Sequence, residues 1–170
     1  MLEAVKISIV GRVQGVGFRP FIYQLANDLD VKGTVQNNMD GVEIILEGTI
    51  HQIEQFTSAI KEKAPRLARV DKVTVIQTDV KGYNDFSIIN SKRIGASQLI
   101  IPTDAAICDD CRREMNDKNN FRYRYPFITC TQCGPRYTII DALPYDRPLT
   151  AMSDFKLCPT CQLEYEDPLN

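Results

Sequence analysis

The 170-residue sequence lacks several features that would place a protein in a specialised class. It has no apolar run near the ~20 residues that a membrane-spanning helix requires. Its first residues lack the charged and apolar stretches of a secretory signal. Its formal net charge is only −2, which argues against a large surface for non-specific nucleic-acid binding. These absences favour a cytoplasmic globular protein without a membrane partner.

Histidine is scarce and cysteine is confined to one part of the chain. The single histidine, His51, lies at the start of a predicted helix and is interpreted as a surface residue. All six cysteines follow residue 107. This step in composition predicts a cysteine-free domain over residues 1–90, a connector over 91–107 and a cysteine-rich region over 108–170.

The first domain alternates predicted strands and helices. Alternating or continuous apolar residues predict strands, and apolar residues at helical spacing predict helices. In chain order the predicted elements are a strand over 5–10, a helix over 21–29, strands over 33–37 and 42–46, a helix over 50–60, and strands over 70–75 and 86–89. The order β-α-β-β-α-β predicts an α+β, ferredoxin-like sandwich. Residues 99–101 predict a further short strand.

Residues 11–19 read GRVQGVGFR and join the first strand to the first helix. Glycine permits the positive-φ conformations that turn several backbone N–H groups toward one point. The N-terminus of the helix adds partial positive charge, and Arg19 adds a planar fork of donors. These parts suit a small phosphorylated anion, although the spacing is neither that of a Walker A loop nor that of a dinucleotide fingerprint.

The same nonapeptide resembles the signature of the acylphosphatase family, G-x-V-Q-G-V-x-F-R. The resemblance implies the acylphosphatase sandwich, in which the additional final strand has a place. It also implies that Arg19 binds the phosphate together with the backbone amides of Gln14, Gly15, Val16, Gly17 and Phe18. In that family an asparagine on the second strand orients the attacking water, and Asn37 is the candidate here. Positioning and electrostatic stabilisation suffice for an acyl phosphate, because its carboxylate or carbamate leaving group needs no general acid.

The cysteines form three C-x-x-C pairs: Cys108 with Cys111, Cys130 with Cys133, and Cys158 with Cys161. Two such turns can hold one zinc ion in a tetrahedron of thiolates, and the spacing of the first two pairs is typical of zinc sites. Sequence order favours the first two pairs as the complete site and leaves the third as half of an incomplete second site. A site that combines the third pair with one of the others stays open. Disulfide or redox chemistry is the weaker alternative in a reducing compartment.

An acylphosphatase-like domain followed by these three pairs resembles the start of the NiFe-hydrogenase maturation carbamoyltransferases, the HypF family. Residues 125–137 (YPFITCTQCGPRY) and 143–152 (LPYDRPLTAM) are similar to signatures of that family. The resemblance runs the full length of the chain and implies a small zinc-finger module that is truncated at its C-terminal end. The family continues with a fourth C-x-x-C pair, a nucleotide-binding domain and a carbamoyl-transfer domain.

The resemblance implies hydrolysis of carbamoyl phosphate to carbamate and phosphate, as the first step of protein carbamoylation. Carbamate would pass to the missing downstream domains, where ATP activates it. The carbamoyl group would then reach an acceptor cysteine on a partner maturation protein. Arg19 and Asn37 serve the first step alone, so this chain by itself is not expected to carbamoylate a protein.

The competing hypothesis is a binding module whose zinc ribbon contacts protein or nucleic acid, with an acylphosphatase-like domain that is not catalytic in isolation. Basic and aromatic residues interleave in the cysteine-rich region, as on nucleic-acid surfaces. The basic set is Arg112, Arg113, Lys118, Arg122, Arg124 and Arg136, and the aromatic set is Phe121, Tyr123, Tyr125 and Tyr137. Nearby acidic residues dilute this charge, which makes nucleic acid the weaker partner.

The two parts are expected to owe their stability to different interactions. The first has enough apolar residues for a core, whereas the cysteine-rich region has little periodicity and needs a metal. A chelator is therefore expected to unfold residues near 108–133 and to spare hydrolysis by residues 1–90. The segment around Cys158 and Cys161 is expected to be the least ordered.

Overall fold

A computed structural model describes residues 2–91 and 100–169. In its first part the elements are β1 (Glu3–Arg12), α1 (Phe18–Asp28), β2 (Lys32–Asn37), β3 (Val42–Gly48), α2 (Ile50–Glu62), β4 (Arg69–Thr78) and β5 (Phe86–Ile88). Within the described residues the strands form one sheet in the order β4-β1-β3-β2-β5. All neighbours are antiparallel except β2 and β5, which are parallel. The predicted α+β sandwich is confirmed, and β5 is the additional strand beside β2.

One hydrophobic core joins both helices to the sheet. Alternate residues of β1 and β3 are buried, and they belong to the same cluster as the buried residues of α1 and α2. Because strand side chains alternate between faces, both helices must pack on the same face of the sheet. Ile7, Ile22, Ile44 and Phe56 are among its fully buried members.

The turns and helix ends follow local chemistry. Thr49 and Gln52 form a capping box at the start of α2, where the side chain of each residue bonds the backbone N–H of the other. Between β2 and β3 the Asn38 Oδ1 accepts hydrogen bonds from the N–H groups of Asp40 and Gly41. Helix α1 begins at Phe18 rather than at residue 21, and this places Arg19 in its first turn.

The connection from β4 to β5 is fixed by a buried carboxylate. Glu47, 1% exposed, accepts hydrogen bonds from the backbone N–H groups of Lys81, Gly82 and Tyr83. A buried charge requires such partners, because water is no longer available to solvate it. This clip holds the chain that leads into β5 against the end of β3.

The cysteine-rich region has little regular structure. It contains α3 (Asp109–Asn116), α4 (Pro159–Glu166) and short 3-10 helices at Tyr137–Ile139 and Arg147–Leu149. Its buried apolar cluster is small and centres on Cys111, Ile128 and Cys133. The strand predicted over 99–101 does not form at Ile100 or Ile101, and Leu99 lies outside the described residues. In the described ranges the helices are all too short or too polar to cross a membrane.

Candidate phosphate site and cysteine cluster

The glycine-rich loop presents an uncapped helix start. Gly15 and Gly17 have φ of +66° and +74°, so both adopt the left-handed conformation that glycine tolerates best. Gly17 is the N-cap of α1, and it supplies no side chain to bond the first N–H groups of the helix. The first turn carries no acidic residue either. A helix end of this kind favours an anionic ligand.

The side chain of Gln14 ties this loop to the rest of the site. It is 3% exposed, and its Nε2 donates to the carbonyl oxygens of Asn38 and Gly41 at 2.8 Å and 2.7 Å. Its Oε1 accepts a hydrogen bond from the backbone N–H of Tyr145 at 2.9 Å. The motif predicted only the backbone amide of Gln14 as a ligand, whereas the structure gives its side chain a scaffolding contact.

Arg19 faces a carboxylate from the cysteine-rich region. Its Nη2 lies 2.6 Å from Asp146 Oδ1, and its Nη1 lies 3.5 Å from Ser91 Oγ. Ser91 Oγ in turn donates to Asp146 Oδ2 at 2.5 Å. The guanidinium has five N–H donors, so these contacts leave others for an anion.

Asn37 lies at the end of β2 with a buried acceptor. It is 1% exposed, and its Nδ2 donates to the carbonyl oxygen of Tyr145 at 3.4 Å. In the described part of the chain no donor reaches its Oδ1. Pairing in the sheet places Asn37 opposite Val42, and Val42 opposite Ile9 near the end of β1. A buried acceptor without a partner costs free energy, so it marks Asn37 as a candidate functional residue.

The cysteine-rich region packs directly on the glycine-rich loop. Arg136 is 6% exposed, and its guanidinium donates to the carbonyl oxygens of Gly15, Pro135 and Cys130. A Cβ added at Gly17 would lie 3.2 Å from Thr131, and one added at Gly15 would lie 3.2 Å from Pro102 and 3.3 Å from Tyr145. The contacts therefore argue against the expectation that the two parts are independent.

Two of the three cysteine pairs meet in one cluster. The Sγ atoms of Cys108, Cys111, Cys130 and Cys133 all lie within 4.8 Å of one another. The closest approaches are 3.7 Å for Cys108 to Cys130, 3.7 Å for Cys130 to Cys133, and 3.5 Å for Cys111 to Cys133. Backbone N–H groups of Cys111 and Gln132 point at the sulfurs of Cys108 and Cys130. Four converging thiols of this kind can hold a metal ion.

The thiols of the cluster have pKa values that differ from those of a free cysteine. Burial raises the pKa of Cys111, and burial together with the neighbouring sulfurs raises the pKa of Cys130 to about 11. Burial also acts on Cys133, but backbone hydrogen bonds from Cys108 and Cys130 outweigh it and lower the pKa of that thiol to about 7. A metal cation favours thiolates, and it must displace protons from the other members of the cluster.

Sequence comparison identifies both parts. The pattern of the family described as Acylphosphatase matches residues 5–88, and that of the HypF finger matches residues 107–140. The chain is 50% identical over 147 residues to the probable carbamoyltransferase HypF of Methanocaldococcus jannaschii, across 84% of this chain and 19% of that protein. A crystal structure of full-length HypF in the phosphate- and nucleotide-bound form superposes with a TM-score of 0.96 at 46% identity, across 99% of this chain and 22% of that one. The chain belongs to the HypF family.

Its first part also stands close to free-standing acylphosphatases. The acylphosphatase of Ligilactobacillus salivarius is 43% identical over 84 residues, across 49% of this chain and 93% of that enzyme. The HypF relatives are much longer, and this chain spans about a fifth of the length of the M. jannaschii protein (19%). The HypF finger match includes the four clustered cysteines and Arg136, whereas Tyr145 and Asp146 lie beyond it.

The third cysteine pair lies apart from the cluster. Cys158 is exposed, and its Sγ accepts a hydrogen bond from the N–H of Cys161 at the start of α4. This backbone hydrogen bond, together with the side chain of Cys161, lowers the pKa of Cys158. The geometry repeats that of Cys108 and Cys111 at the start of α3. Arg122 joins the two helices through ion pairs with Glu114 and Glu164. The third pair thus lies at the start of a helix, with Cys158 as the N-cap, in the same local form as the first.

The basic residues of this HypF finger are mostly engaged within the molecule. Arg112 and Arg113 pair with Asp109 and Asp110 on α3. Arg136 is buried, and Arg122 contacts acidic residues of both helices. These contacts weaken the nucleic-acid hypothesis, since few of the basic side chains are left to neutralise the phosphate groups of a nucleic acid.

Proposed function

We propose that this chain hydrolyses carbamoyl phosphate to carbamate and phosphate, as an acylphosphatase-type enzyme. The observation that carries the proposal is that Gln14 of the loop, Arg19 and the buried Asn37 all form hydrogen bonds to one dipeptide, Tyr145 and Asp146. An acylphosphatase sandwich supplies the fold, and the kinship with HypF carbamoyltransferases supplies the carbamoyl class of substrate.

The proposed reaction needs little covalent chemistry from the protein. A water oxygen attacks the phosphorus, and the bond between phosphorus and the carbamate oxygen breaks. The bonding electrons leave with carbamate, and both protons of the water remain on the phosphate product. Asn37 holds the water through its amide, while Arg19 and the loop amides bind the equatorial oxygens, over which the charge of the transferring phosphoryl group is spread in the transition state.

The cysteine cluster is proposed to hold zinc. A zinc ion with Zn–S bonds of about 2.3 Å gives a tetrahedron with edges of about 3.8 Å. The closest sulfur separations of 3.5 to 3.7 Å fit that size. With four thiolates the ion would be closed to substrate, so it would cross-link the loop around Cys130 and would leave catalysis to residues 14–19 and Asn37.

In the whole HypF protein this reaction would be the first of several. Carbamate would pass to an ATP-dependent domain, and the carbamoyl group would then go to a cysteine of a partner protein in hydrogenase maturation. The exposed aromatic side chains Phe127, Tyr137 and Phe155 offer apolar surface to protein neighbours rather than to nucleic acid, because few free cations accompany them.

Phosphate release from carbamoyl phosphate tests the proposal, with acetyl phosphate as a second substrate and the zinc content measured on the same sample. Arg19→Lys keeps the charge and loses the fork, and Arg19→Ala loses both. Each should lower turnover by ~100-fold or more, by analogy with loss of one preorganised donor. Arg66→Ala is the control, because Arg66 is exposed and follows α2. Wild-type turnover in the Arg19 variants would overturn the assignment of the site.

A further inference from the structure

The carboxylate of Asp146 is held at both of its oxygens by the first part of the chain. Arg19 Nη2 binds Oδ1 at 2.6 Å, and Ser91 Oγ binds Oδ2 at 2.5 Å. The side chains of Arg19 and Asp146 are 25% and 23% exposed. An ion pair this sheltered is less screened than one on the open surface, and it restricts the long arginine side chain more.

We propose that Asp146 is a positioning residue for Arg19. The inference rests on the proposed function, in which Arg19 binds the transferring phosphoryl group. A free arginine side chain has several rotatable bonds and loses considerable entropy when it is fixed. Asp146 fixes the guanidinium before the anion arrives and leaves its other N–H groups for phosphate.

The backbone next to Asp146 supports the same role. The N–H of Tyr145 bonds Gln14 Oε1, and its carbonyl oxygen accepts from Asn37 Nδ2. One dipeptide therefore contacts the glycine-rich loop, the water-orienting candidate and the phosphate-binding arginine. The cysteine-rich region thereby contributes to the geometry of a site whose ligands all lie in the first part.

The contact between Arg19 and Asp146 is also compatible with a second role. A carboxylate on Arg19 can also act as an internal competitor that keeps phosphate out. Ser91 argues for the positioning role, because its hydroxyl gives Asp146 a second anchor and also lies 3.5 Å from Arg19 Nη1, so that the three side chains form one network. The two roles predict opposite effects on anion affinity, which makes them separable by experiment.

The test uses Asp146→Asn in the full chain, with kcat and KM for carbamoyl phosphate and the dissociation constant of inorganic phosphate as readouts. Loss of a charge-assisted hydrogen bond should lower kcat by roughly 10- to 100-fold and weaken phosphate binding. Asp146→Glu should recover part of kcat. Asp141→Asn is the control, because Asp141 is an exposed carboxylate of the same segment.

A double-mutant cycle with Arg19→Ala decides how Asp146 acts. If it acts through Arg19, Asp146→Asn should cost nothing further once Arg19 is gone. Additive losses, unchanged kcat, or tighter phosphate binding in Asp146→Asn would overturn the positioning role. Ser91→Ala, which removes the second anchor, should give a smaller loss of the same kind and serves if Asp146→Asn does not fold. Should the wild-type chain release no phosphate, the proposed function fails, while phosphate affinities still test the positioning.

Discussion

Asn37 combines nearly complete burial with an acceptor that no described residue satisfies. Such a group costs free energy unless water or a ligand binds it, and proteins keep such costs mainly at functional sites. The neighbouring Tyr145 carbonyl holds only the Nδ2 side of the amide. The Oδ1 side is therefore oriented and has no partner among the described residues.

Asn37→Ala should reduce kcat for carbamoyl phosphate by about 100-fold, because the attacking water loses its orientation. The dissociation constant of inorganic phosphate should stay within about threefold, which is the pattern of an interaction made mainly in the transition state. Asn27→Ala removes an exposed amide near the end of α1 and is the matched control. An equal loss of phosphate affinity would instead assign Asn37 to the anion cradle.

Single residues differ in how far their sequence context predicts them. Arg19 is the last residue of the nine-residue motif, and Asn37 ends the predicted strand 33–37, which resembles the second strand of the acylphosphatase family. Asp146 lies 127 positions away from Arg19, and Arg136 lies 121 positions away from Gly15. Both fall inside segments that resemble HypF signatures, but an ion pair across such a distance depends on tertiary packing, which local patterns do not encode.

The loop before α1 is the element on which the site depends most. Gly17 combines a positive φ with close contact to Thr131, whereas Gly82 has a similar φ of +79° and open space around its Cα. An alanine at Gly82 would add backbone strain alone, whereas an alanine at Gly17 would add the same strain and would also displace the cysteine-rich region. Comparing the two variants therefore separates these two costs.

Gly17→Ala should weaken phosphate binding by roughly tenfold, because the added methyl group strains the loop and pushes on Thr131. Gly82→Ala should cost only the shared strain, about 1 kcal/mol of unfolding free energy, with phosphate affinity unchanged. Urea unfolding and calorimetric phosphate titration of both variants make the comparison. Equal phosphate affinities in the two variants would show that the contact between Gly17 and Thr131 has no influence on phosphate binding.

Element boundaries show where periodicity misleads. Helix α1 was predicted from residue 21, yet it begins at Phe18, ahead of Pro20. Proline is tolerated in the first turn, because the N–H that it lacks has no partner inside the helix there. The apolar run at Ile100 and Ile101 formed no strand, since no neighbouring strand pairs with it in the described ranges. Helices and strands with a strong apolar period were predicted correctly.

At the scale of the whole molecule, the two parts share contacts at the point where the anion would bind. Arg136 joins the carbonyl of Cys130, a member of the cysteine cluster, to that of Gly15 in the glycine-rich loop. The domain bounds 1–90, 91–107 and 108–170 stay a prediction, but separate function of the first domain is no longer expected. Both the core of the first part and the segment that carries the cysteine cluster contact this one loop.

Metal removal should therefore weaken phosphate binding, by about 5- to 150-fold, rather than spare it. Calorimetric phosphate titration before and after chelation measures the effect, and hydrogen exchange reports which segments open. A chain with Cys158→Ser and Cys161→Ser should respond to the chelator as the wild type does, because that pair lies outside the cluster. Arg136→Lys should reduce the response. Unchanged phosphate affinity after complete metal loss would instead show that the first part and the cysteine-rich region are independent.

Because Arg136 joins the glycine-rich loop to the cysteine cluster, phosphate at the loop should also affect metal binding at the cluster. Coupling between two binding equilibria is reciprocal, so whatever factor the metal adds to phosphate affinity, phosphate must add to metal affinity. A chain with phosphate bound at the loop should release its metal ion more slowly than a chain without phosphate. The rate at which a coloured chelator removes the ion then reports how much of the glycine-rich loop is occupied by phosphate. This measurement requires no catalytic turnover.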